Sequence, residues 1–248
     1  RLYQLPLGIV GIAIDVVLLP DLARALRTGR HADASHTQNR SIEFAAALTL
    51  PATVALFVIP TAIIRVLFER GAFSAVDTAA TAPALAAYAL GLPAFVAIKV
   101  LQPGFFARED TRTPMWYGAI SMVVNVVAAL GLFVPFGHVG IAAATSIAAW
   151  VNTGLLFATL YRRDHLVVDA TLKRRLVLLL VASLLMGAGL WGADWLLQPM
   201  TAARDVMVQA AGLAILVAVG LLLFALFCQI TGAFDFRRLA GLVRRRRS

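Results

Sequence analysis

The chain has 248 residues, of which 60% are hydrophobic and 14% are charged, and its mean hydropathy is +0.84. Soluble domains carry about 25% charged residues, so this composition excludes an ordinary soluble domain and indicates an all-α integral membrane protein, a polytopic helical bundle. The net charge of +9 does not indicate nucleic-acid binding, because the basic residues lie between the apolar runs and in the tail.

Seven apolar runs are long enough to cross a bilayer as helices. We expect seven transmembrane helices at about residues 1–20, 42–68, 78–106, 115–135, 139–160, 176–195 and 206–231. The segment 21–41 is expected to be a loop. Because the chain starts with Arg and its first span begins at once, we expect it to be the C-terminal part of a longer membrane protein.

The charges of the connections orient the spans. Only two Lys or Arg residues, Arg70 and Arg204, lie in the connections on one side of the membrane. The connections on the other side hold 17 of the 22 Lys and Arg residues, in segments 21–41, 107–114 and 161–175 and in the tail from 232. By the positive-inside rule, this second set and the C-terminus are predicted to be cytoplasmic.

The first span carries a polar stripe. Its members share one helical face at the 3.6-residue period, and they are Arg1, Gln4, Gly8, Gly11 and Asp15. Such a stripe is expected to face water or a neighbouring backbone and not lipid. Two alternatives stay open: the glycines form only a close-packing seam, or Arg1 lies at the membrane interface.

A lysine lies inside the third apolar span. Tyr88, Lys99 and Gln102 fall on one helical face, since eleven residues make about three turns. A cation in a membrane helix costs on the order of 2.5–3.5 kcal/mol, so such a residue usually faces a cavity or a partner. Two interpretations stay open: Lys99 extends to the interface or pairs with an acid, or it lines a cavity.

Polar residues recur at helical spacing in the fourth and fifth spans. They are Tyr117, Ser121 and Asn125 in the fourth span and Thr145, Asn152 and Thr159 in the fifth. We expect hydrogen bonds between the two helices, and a cation site of neutral oxygens is the alternative. The sixth and seventh spans are almost wholly apolar, and the lone cysteine, Cys228, is expected to be a buried thiol.

Motifs of bond-making catalysis are absent from the sequence. It has no GxxxxGK[ST], HExxH or GxSxG pattern, and its four histidines lie in or beside the connections. We therefore predict no catalytic residue. A polar stripe inside a polytopic protein without an enzyme motif favours transport.

Three stretches carry a family resemblance: the opening RLYQLPLGIVGIAIDVVLLPDLAR, then LFERGAFSAVDT, then YALGLPAFVAIKVLQPGFFAREDTRTP. They closely resemble the MurJ/MviN family of lipid II flippases, in the multidrug/oligosaccharyl-lipid/polysaccharide exporter superfamily. The resemblance implies a fourteen-helix protein of two pseudo-symmetric lobes plus a final helix pair. Residues 1–165 would then be helices eight to twelve, the C-lobe bundle, and residues 166–248 the last two helices and a basic cytoplasmic tail.

The resemblance also implies a function. Members move the undecaprenyl-diphosphate-linked peptidoglycan precursor, lipid II, from the inner to the outer leaflet of the bacterial inner membrane by alternating access. The implied partners are this precursor, membrane lipids and the N-terminal half of the same protein, and no nucleic acid. The last two helices would line a groove for the long lipid tail.

Substrate-binding residues follow from the matching positions. Arg1 matches an important arginine at the start of helix eight, Lys99 matches the lysine of the KVLxPGF segment, and Gln4 stands where relatives often have Glu. The resemblance therefore assigns substrate binding in a cationic cavity to Arg1, Gln4 and Lys99, because cations suit a diphosphate.

A sodium ion is the one cofactor that the resemblance implies, since some members hold Na+ between helices eleven and twelve. The matching positions here are Asn125, Ala129, Ile141 and Thr145. Asn125, the Ile141 carbonyl and Thr145 are thus the candidate metal ligands, whereas Ala129 cannot supply the carboxylate of those members.

Two other functions stay open. A cation-coupled multidrug exporter, or an exporter of another polyprenyl lipid in the same superfamily, is one; a drug exporter would need an acid deep in the helices, for which Asp15 is the candidate. A non-transporting membrane scaffold is the other, and it predicts no conformational change with substrate.

Overall fold

All regular secondary structure is helical in the part that the computed structural model describes, residues 20, 22–28, 30–203 and 205–232. Its helices from residue 31 onward are α1 to α7, in chain order His31–Val58, Pro60–Phe68, Ala75–Phe106, Arg112–Phe136, His138–Arg162, Ala170–Thr201 and Val206–Thr231. All except α2 are long and apolar enough to cross a membrane, six in the described part. The predicted all-α polytopic fold class is confirmed.

Six of the predicted spans correspond to described helices, and the first, 1–20, lies outside the described residues except for Pro20. The predicted span 42–68 is not one continuous helix. Its helix stops at Val58, Ile59 has φ −119° and ψ 41°, and α2 restarts at Pro60. Proline has no N–H to donate to the preceding turn, so a break at this position is expected physically.

The prediction of a loop over 21–41 is wrong for most of that segment. Residues 22–27 are helical, and α1 already begins at His31, before the apolar run starts. This first part of α1 is polar in sequence, yet Gln38 and Asn39 are buried. Hydropathy missed it because these polar side chains are covered by neighbouring helices and not by lipid.

Helix α1 lies at the centre of the packing. It contacts α3 on one side and α6 on the other, while α3 also packs against α5, α5 against α4, and α6 against α7. The short α2 contacts α3, α6 and α7 at one end of the bundle. The helices therefore form two groups, α3–α4–α5 and α6–α7, which α1 and α2 connect.

Hydrogen bonds to backbone carbonyls hold α5 against α3. The donors are Ser146, Trp150 and Thr153, and the acceptors are the carbonyls of Ala87, Leu90 and Ala94, at 2.7, 2.9 and 3.0 Å. Close approach of the two helices requires Gly91, because a Cβ there would lie 2.6 Å from Ser146 Oγ and 2.9 Å from Ser146 Cα.

Most described basic side chains lie at one end of the bundle, where α1, α4 and α6 begin and α3, α5 and α7 end. We call this the basic end. The other end, where α2 finishes and α3 begins, carries Arg65 and Arg70. The described helices thus reproduce the charge asymmetry from which the sequence predicts orientation.

Candidate functional site

The polar face of α3 is the part of the predicted substrate site that the structure describes. Tyr88, Lys99 and Gln102 are each half-buried on this helix. Lys99 has neither a hydrogen bond nor an ion pair with any of the described residues. A cation within a membrane-length helix is thus held without a described acid to neutralise it, which is unusual on energetic grounds.

The other members of the predicted site cannot be placed. Arg1, Gln4 and Asp15, with the rest of the polar stripe of the first span, lie outside the described residues. Whether Arg1 and Lys99 share a cavity therefore stays a prediction.

A buried acid near the basic end joins α1 to α6. Glu43 is 5% exposed, and its two carboxylate oxygens form ion pairs with Arg40 and Arg175. Because a carboxylate with two guanidinium partners has its charge fully compensated, Glu43 is a structural acid. Glu43 was not among the residues selected from the sequence. It could have been, because it is the only acid within residues 42–68, a predicted membrane span.

Two buried amides lie next to Glu43 on α1. Asn39 donates a hydrogen bond from Nδ2 to the Val167 carbonyl at 2.8 Å. Gln38 is 1% exposed, and neither of its side-chain polar atoms has a partner within the described part of the chain. A Cβ on Gly104 would lie 2.8 Å from Gln38 Nε2, so the glycine of the PGF segment allows α1 and α3 to meet here.

Four residues connect the α3–α4 turn to the α5–α6 connection, three through their side chains and His165 through its backbone carbonyl, and we call them the turn clasp: Arg108, Asp110, Arg163 and His165. Arg108 donates to the carbonyls of Gly104 at 2.6 Å and His165 at 3.4 Å. Arg163 donates to Asp110 at 2.8 Å. The clasp therefore ties together two connections that are far apart in sequence.

The turn clasp shifts the protonation of its members. Hydrogen bonds from the backbone and hydroxyl of Thr113, followed by the Arg163 guanidinium, lower the pKa of Asp110 to about 2. Burial, and then the charges of Arg108 and Arg163, lower the pKa of His165. Burial also lowers the pKa of Arg108. Asp110 is therefore charged and His165 is biased toward its neutral form.

The end of the bundle opposite the basic end holds a smaller charged cluster. Glu69 Oε2 lies 3.7 Å from Arg65 Nε and accepts a hydrogen bond from Thr78 at 2.7 Å. On α6, Asp194 has one carboxylate oxygen that is buried and has no hydrogen-bond partner in the described part of the chain. Asp194 lies within the predicted sixth span, for which only apolar packing was expected.

The polar residues of α4 and α5 form the expected contacts between helices. The hydroxyls of Tyr117 and Thr159 are 2.7 Å apart, and Ser121 donates to the Ala148 carbonyl at 2.7 Å. Both contacts join α4 to α5, so the prediction of interhelical hydrogen bonds is confirmed for these residues.

The candidate sodium ligands offer only neutral oxygens. Thr145 donates its hydroxyl to the Ile141 carbonyl at 3.0 Å, which is a contact within α5, and Asn125 on α4 is half-buried. Ala129, one turn beyond Asn125, supplies no oxygen from its side chain. Because hard cations favour several oxygen ligands including carboxylates, this set fits sodium poorly. Sodium binding stays a prediction.

Apolar grooves run along the described part of the bundle, and two of them are large. One, which we call the α7 groove, has a volume of about 550 Å³ and is lined by residues of α1, α2, α6 and α7, Phe44 and Phe224 among them. The other, the α5–α6 cleft, has α1 and α3 as its floor and α5 and α6 as its walls, in two adjoining parts of about 840 and 640 Å³. Long hydrocarbon chains are the natural occupants of surfaces of this kind.

Comparisons with known proteins agree with one another. Residues 1–228 match the family model described as lipid II flippase MurJ. The chain is 46% identical over 246 residues to a probable lipid II flippase MurJ of Rhizobium tropici, covering 99% of this chain and 45% of the relative. It is 51% identical over 235 residues to a probable lipid II flippase MurJ of Rhizobium meliloti strain 1021, covering 94% of this chain and 44% of the relative.

The fold also matches a solved structure, a lipid II flippase MurJ in an inward closed conformation. The TM-score is 0.76 at 24% sequence identity, over 97% of this chain and 46% of the solved chain. The chain spans about half the length of the curated relatives that it matches. Because the family model covers nearly the whole sequence, this multi-pass membrane protein belongs to the family of the lipid II flippase MurJ.

Proposed function

We propose that this chain supplies one lobe and the final helix pair of a transporter that moves lipid II to the outer leaflet of the bacterial inner membrane. The names of its relatives support this substrate, and the half-buried Lys99 is the structural observation that carries the proposal. Alternating access would expose the substrate site to one leaflet at a time.

Lys99 suits the headgroup of this substrate. A diphosphate carries negative charge that must cross an apolar bundle, and an ammonium group within the bundle stabilises it there. Glu43, by contrast, already pairs with two arginines. Lys99 pairs with no described acid and is therefore available to an anionic ligand. Arg1 and Gln4 are proposed to complete the site, with the Arg1 guanidinium binding phosphate oxygens in a planar fork.

The α7 groove is proposed to hold part of the long apolar tail. No charged residue lines it, and its walls include the last two helices, α6 and α7. A tail that enters this groove leaves lipid and not water, so close packing against the groove walls, and not transfer from water, would hold it there. Headgroup and tail would then bind to different faces of the lobe.

The basic end is proposed to face the cytoplasm, together with the C-terminus. This orientation is supported by the surplus of Lys and Arg at that end. It puts the turn clasp on the cytoplasmic side, where the substrate is loaded.

Replacing Lys99 tests the proposal. In the intact protein, Lys99→Ala is expected to lower lipid II transport into the outer leaflet of reconstituted vesicles at least tenfold, and to prevent growth of a strain depleted of its own flippase. Lys99→Arg keeps the charge and is expected to retain much of the activity.

Arg112→Ala is the matched control, because it removes an exposed cation from the first turn of α4. All variants must be inserted and monodisperse at wild-type levels. Normal transport and growth with Lys99→Ala would reject the assigned role of Lys99. Transport of a cationic drug in place of lipid II would favour the multidrug alternative.

A further inference from the structure

The α5–α6 cleft is a second apolar site, separate from the α7 groove. Its two parts meet at four shared lining residues, one from each surrounding helix: Leu50, Pro93, Trp150 and Leu180. The part nearer the basic end has a volume of about 640 Å³ and includes Gly154, Phe157, Lys173 and Leu176 in its lining. The substrate site proposed above does not use it.

The inside of this basic part resembles hydrocarbon. Its two lining hydroxyls are already bonded to backbone carbonyls, Thr49 to Ala45 at 2.8 Å and Thr153 to Ala94 at 3.0 Å. The remaining lining residues are aliphatic or aromatic, apart from Lys173. A polar occupant would lose hydrogen bonds to water without replacement, so an apolar chain is the occupant that this surface fits.

Trp150 divides the cleft near the middle of the bundle. Its indole N–H donates to the Leu90 carbonyl at 2.9 Å, which holds the ring in place. Leu180 also lies where the two parts of the cleft meet. The distance from Lys173 to Leu180 along α6 is about 10 Å, at about 1.5 Å per residue. The hydrocarbon of one leaflet is about 15 Å thick, half of the bilayer core. The basic part of the cleft therefore fits within the depth of a single leaflet.

One end of this part is cationic. Lys173 lines it and has no ion pair with any described residue, and the exposed Arg174 follows it in the chain. Arg175 is unavailable because it pairs with Glu43. The nearest acid along α6 is Asp169, whose carboxylate caps the helix by accepting from the Leu172 N–H. An anionic headgroup at this position would have two cations beside it, at the depth where headgroups lie.

We propose that the basic part of the α5–α6 cleft binds one anionic phospholipid, with an acyl chain against Trp150 and Phe157 and its phosphate on Lys173. The bound lipid fills the space between α5 and α6, which the direct helix contacts leave open, and so joins the two helix groups on one face. This inference does not depend on the substrate proposed above, since it concerns another cleft and another lipid.

Glycines allow the cleft to be blocked with a close control. Neither Gly154 in the cleft nor Gly118 on the outer side of α4 has any atom within 4 Å of an added Cβ, and both are exposed. Each lies about 9–12 Å along its helix from the basic end, by helical rise. Gly154→Trp is expected to fill the cleft, whereas Gly118→Trp adds the same side chain outside it.

The probe is phosphatidylglycerol with a photoreactive diazirine in the middle of one acyl chain, in nanodiscs of phosphatidylcholine that contain the intact protein. After illumination, peptide mapping is expected to find the label on segments 150–157 and 172–180. Gly154→Trp is expected to reduce this labelling at least fivefold and Gly118→Trp to leave it unchanged. Lys173→Ala, which leaves the cleft open, is expected to reduce it at least threefold.

The same diazirine on phosphatidylcholine provides the second arm. Labelling of the cleft at least threefold weaker than with phosphatidylglycerol is expected, because the neutral headgroup gains less from Lys173. Equal labelling by the two lipids, labelling unaffected by Lys173→Ala, or labelling that persists in correctly folded Gly154→Trp would each overturn the proposal. Displacement of the probe by equimolar undecaprenyl phosphate would overturn it in favour of a polyprenyl chain.

Discussion

The two faces of α3 differ in what they contribute. The face toward α5 provides three carbonyls that accept side-chain hydrogen bonds, and Gly91 lets the helices touch. The other face carries Tyr88, Lys99 and Gln102, of which Lys99 has no described partner. One helix therefore carries a packing surface and a candidate binding surface side by side.

Stability and transport can therefore be tested separately on α3. Changes on the packed face should alter folding, and transport only as a consequence. Changes at Lys99 should alter transport while folding is preserved. Glu43 on α1 is fully paired, so changes to it should also affect folding first. Sequence alone would make every charge within the membrane a functional candidate.

The largest effect is expected from Gly91→Leu. The new Cβ would clash with both the hydroxyl and the Cα of Ser146. The hydroxyl could rotate away, but the Cα belongs to the backbone of α5 and could move only with the helix. We expect a loss of about 3 kcal/mol, at the upper end of overpacking costs. Thermal unfolding in detergent measures it, with Gly118→Leu, which meets open space, as the control. An unchanged midpoint would mean that α3 and α5 are not in close contact.

A smaller loss is expected from Glu43→Gln. The amide keeps the shape but leaves Arg40 and Arg175 without a counter-charge, and both remain partly open to water. We expect a loss of about 2 kcal/mol, in the range of hydrogen bonds to charged groups. The same unfolding assay measures it. A variant with wild-type stability that does not transport would show that Glu43 acts in transport and not in folding.

A weaker effect is expected at the turn clasp. Arg163→Ala removes the ion pair with Asp110, and because Arg163 is 46% exposed, we expect a loss of about 0.2–1 kcal/mol. Hydrogen exchange of segment 163–169 is expected to rise in this variant. Unchanged exchange would show that backbone contacts alone hold the connection.

Acid should weaken the same clasp. His165 has a lowered pKa in the folded protein, so below about pH 6.5 the unfolded chain takes up the proton first and stability falls with pH. The Asp110 contribution is full above the ordinary carboxyl pKa of 3.8 and is lost as pH falls from there toward about 2. The free energy of unfolding is measured at pH 7.5 and 5.5 for the wild type and for His165→Gln. Between these pH values the variant should lose less stability than the wild type. An equal loss in both would assign the pH effect elsewhere.

The smallest change in stability is expected from Lys99→Leu. It removes a charge that has no partner in the described structure, so the free energy of unfolding should change by about 0.5 kcal/mol or less. Transport should nevertheless be lost. A strongly destabilised variant would show that Lys99 is structural and would erase the difference between the two faces.

Much of the fold follows from local information. Runs of apolar residues, interrupted by Gly and Pro at turns, indicate six of the described helices to within a few residues at most ends. The spacing of Tyr117 and Ser121 was sufficient to predict bonds between α4 and α5. The polar start of α1 could not be found in this way, because Gln38 and Asn39 look like loop residues until other helices cover them.

The membrane class, the helical content and the family can be read from the chain alone, since they depend on composition, hydropathy and local motifs. The packed helices were needed to show that Glu43 pairs with two arginines whereas Lys99 has no described partner, and that α5 and α6 are the walls of an apolar cleft. The physical reason is that burial and charge compensation depend on side chains more than 100 residues apart, such as Glu43 and Arg175, which the helical period of one span does not relate.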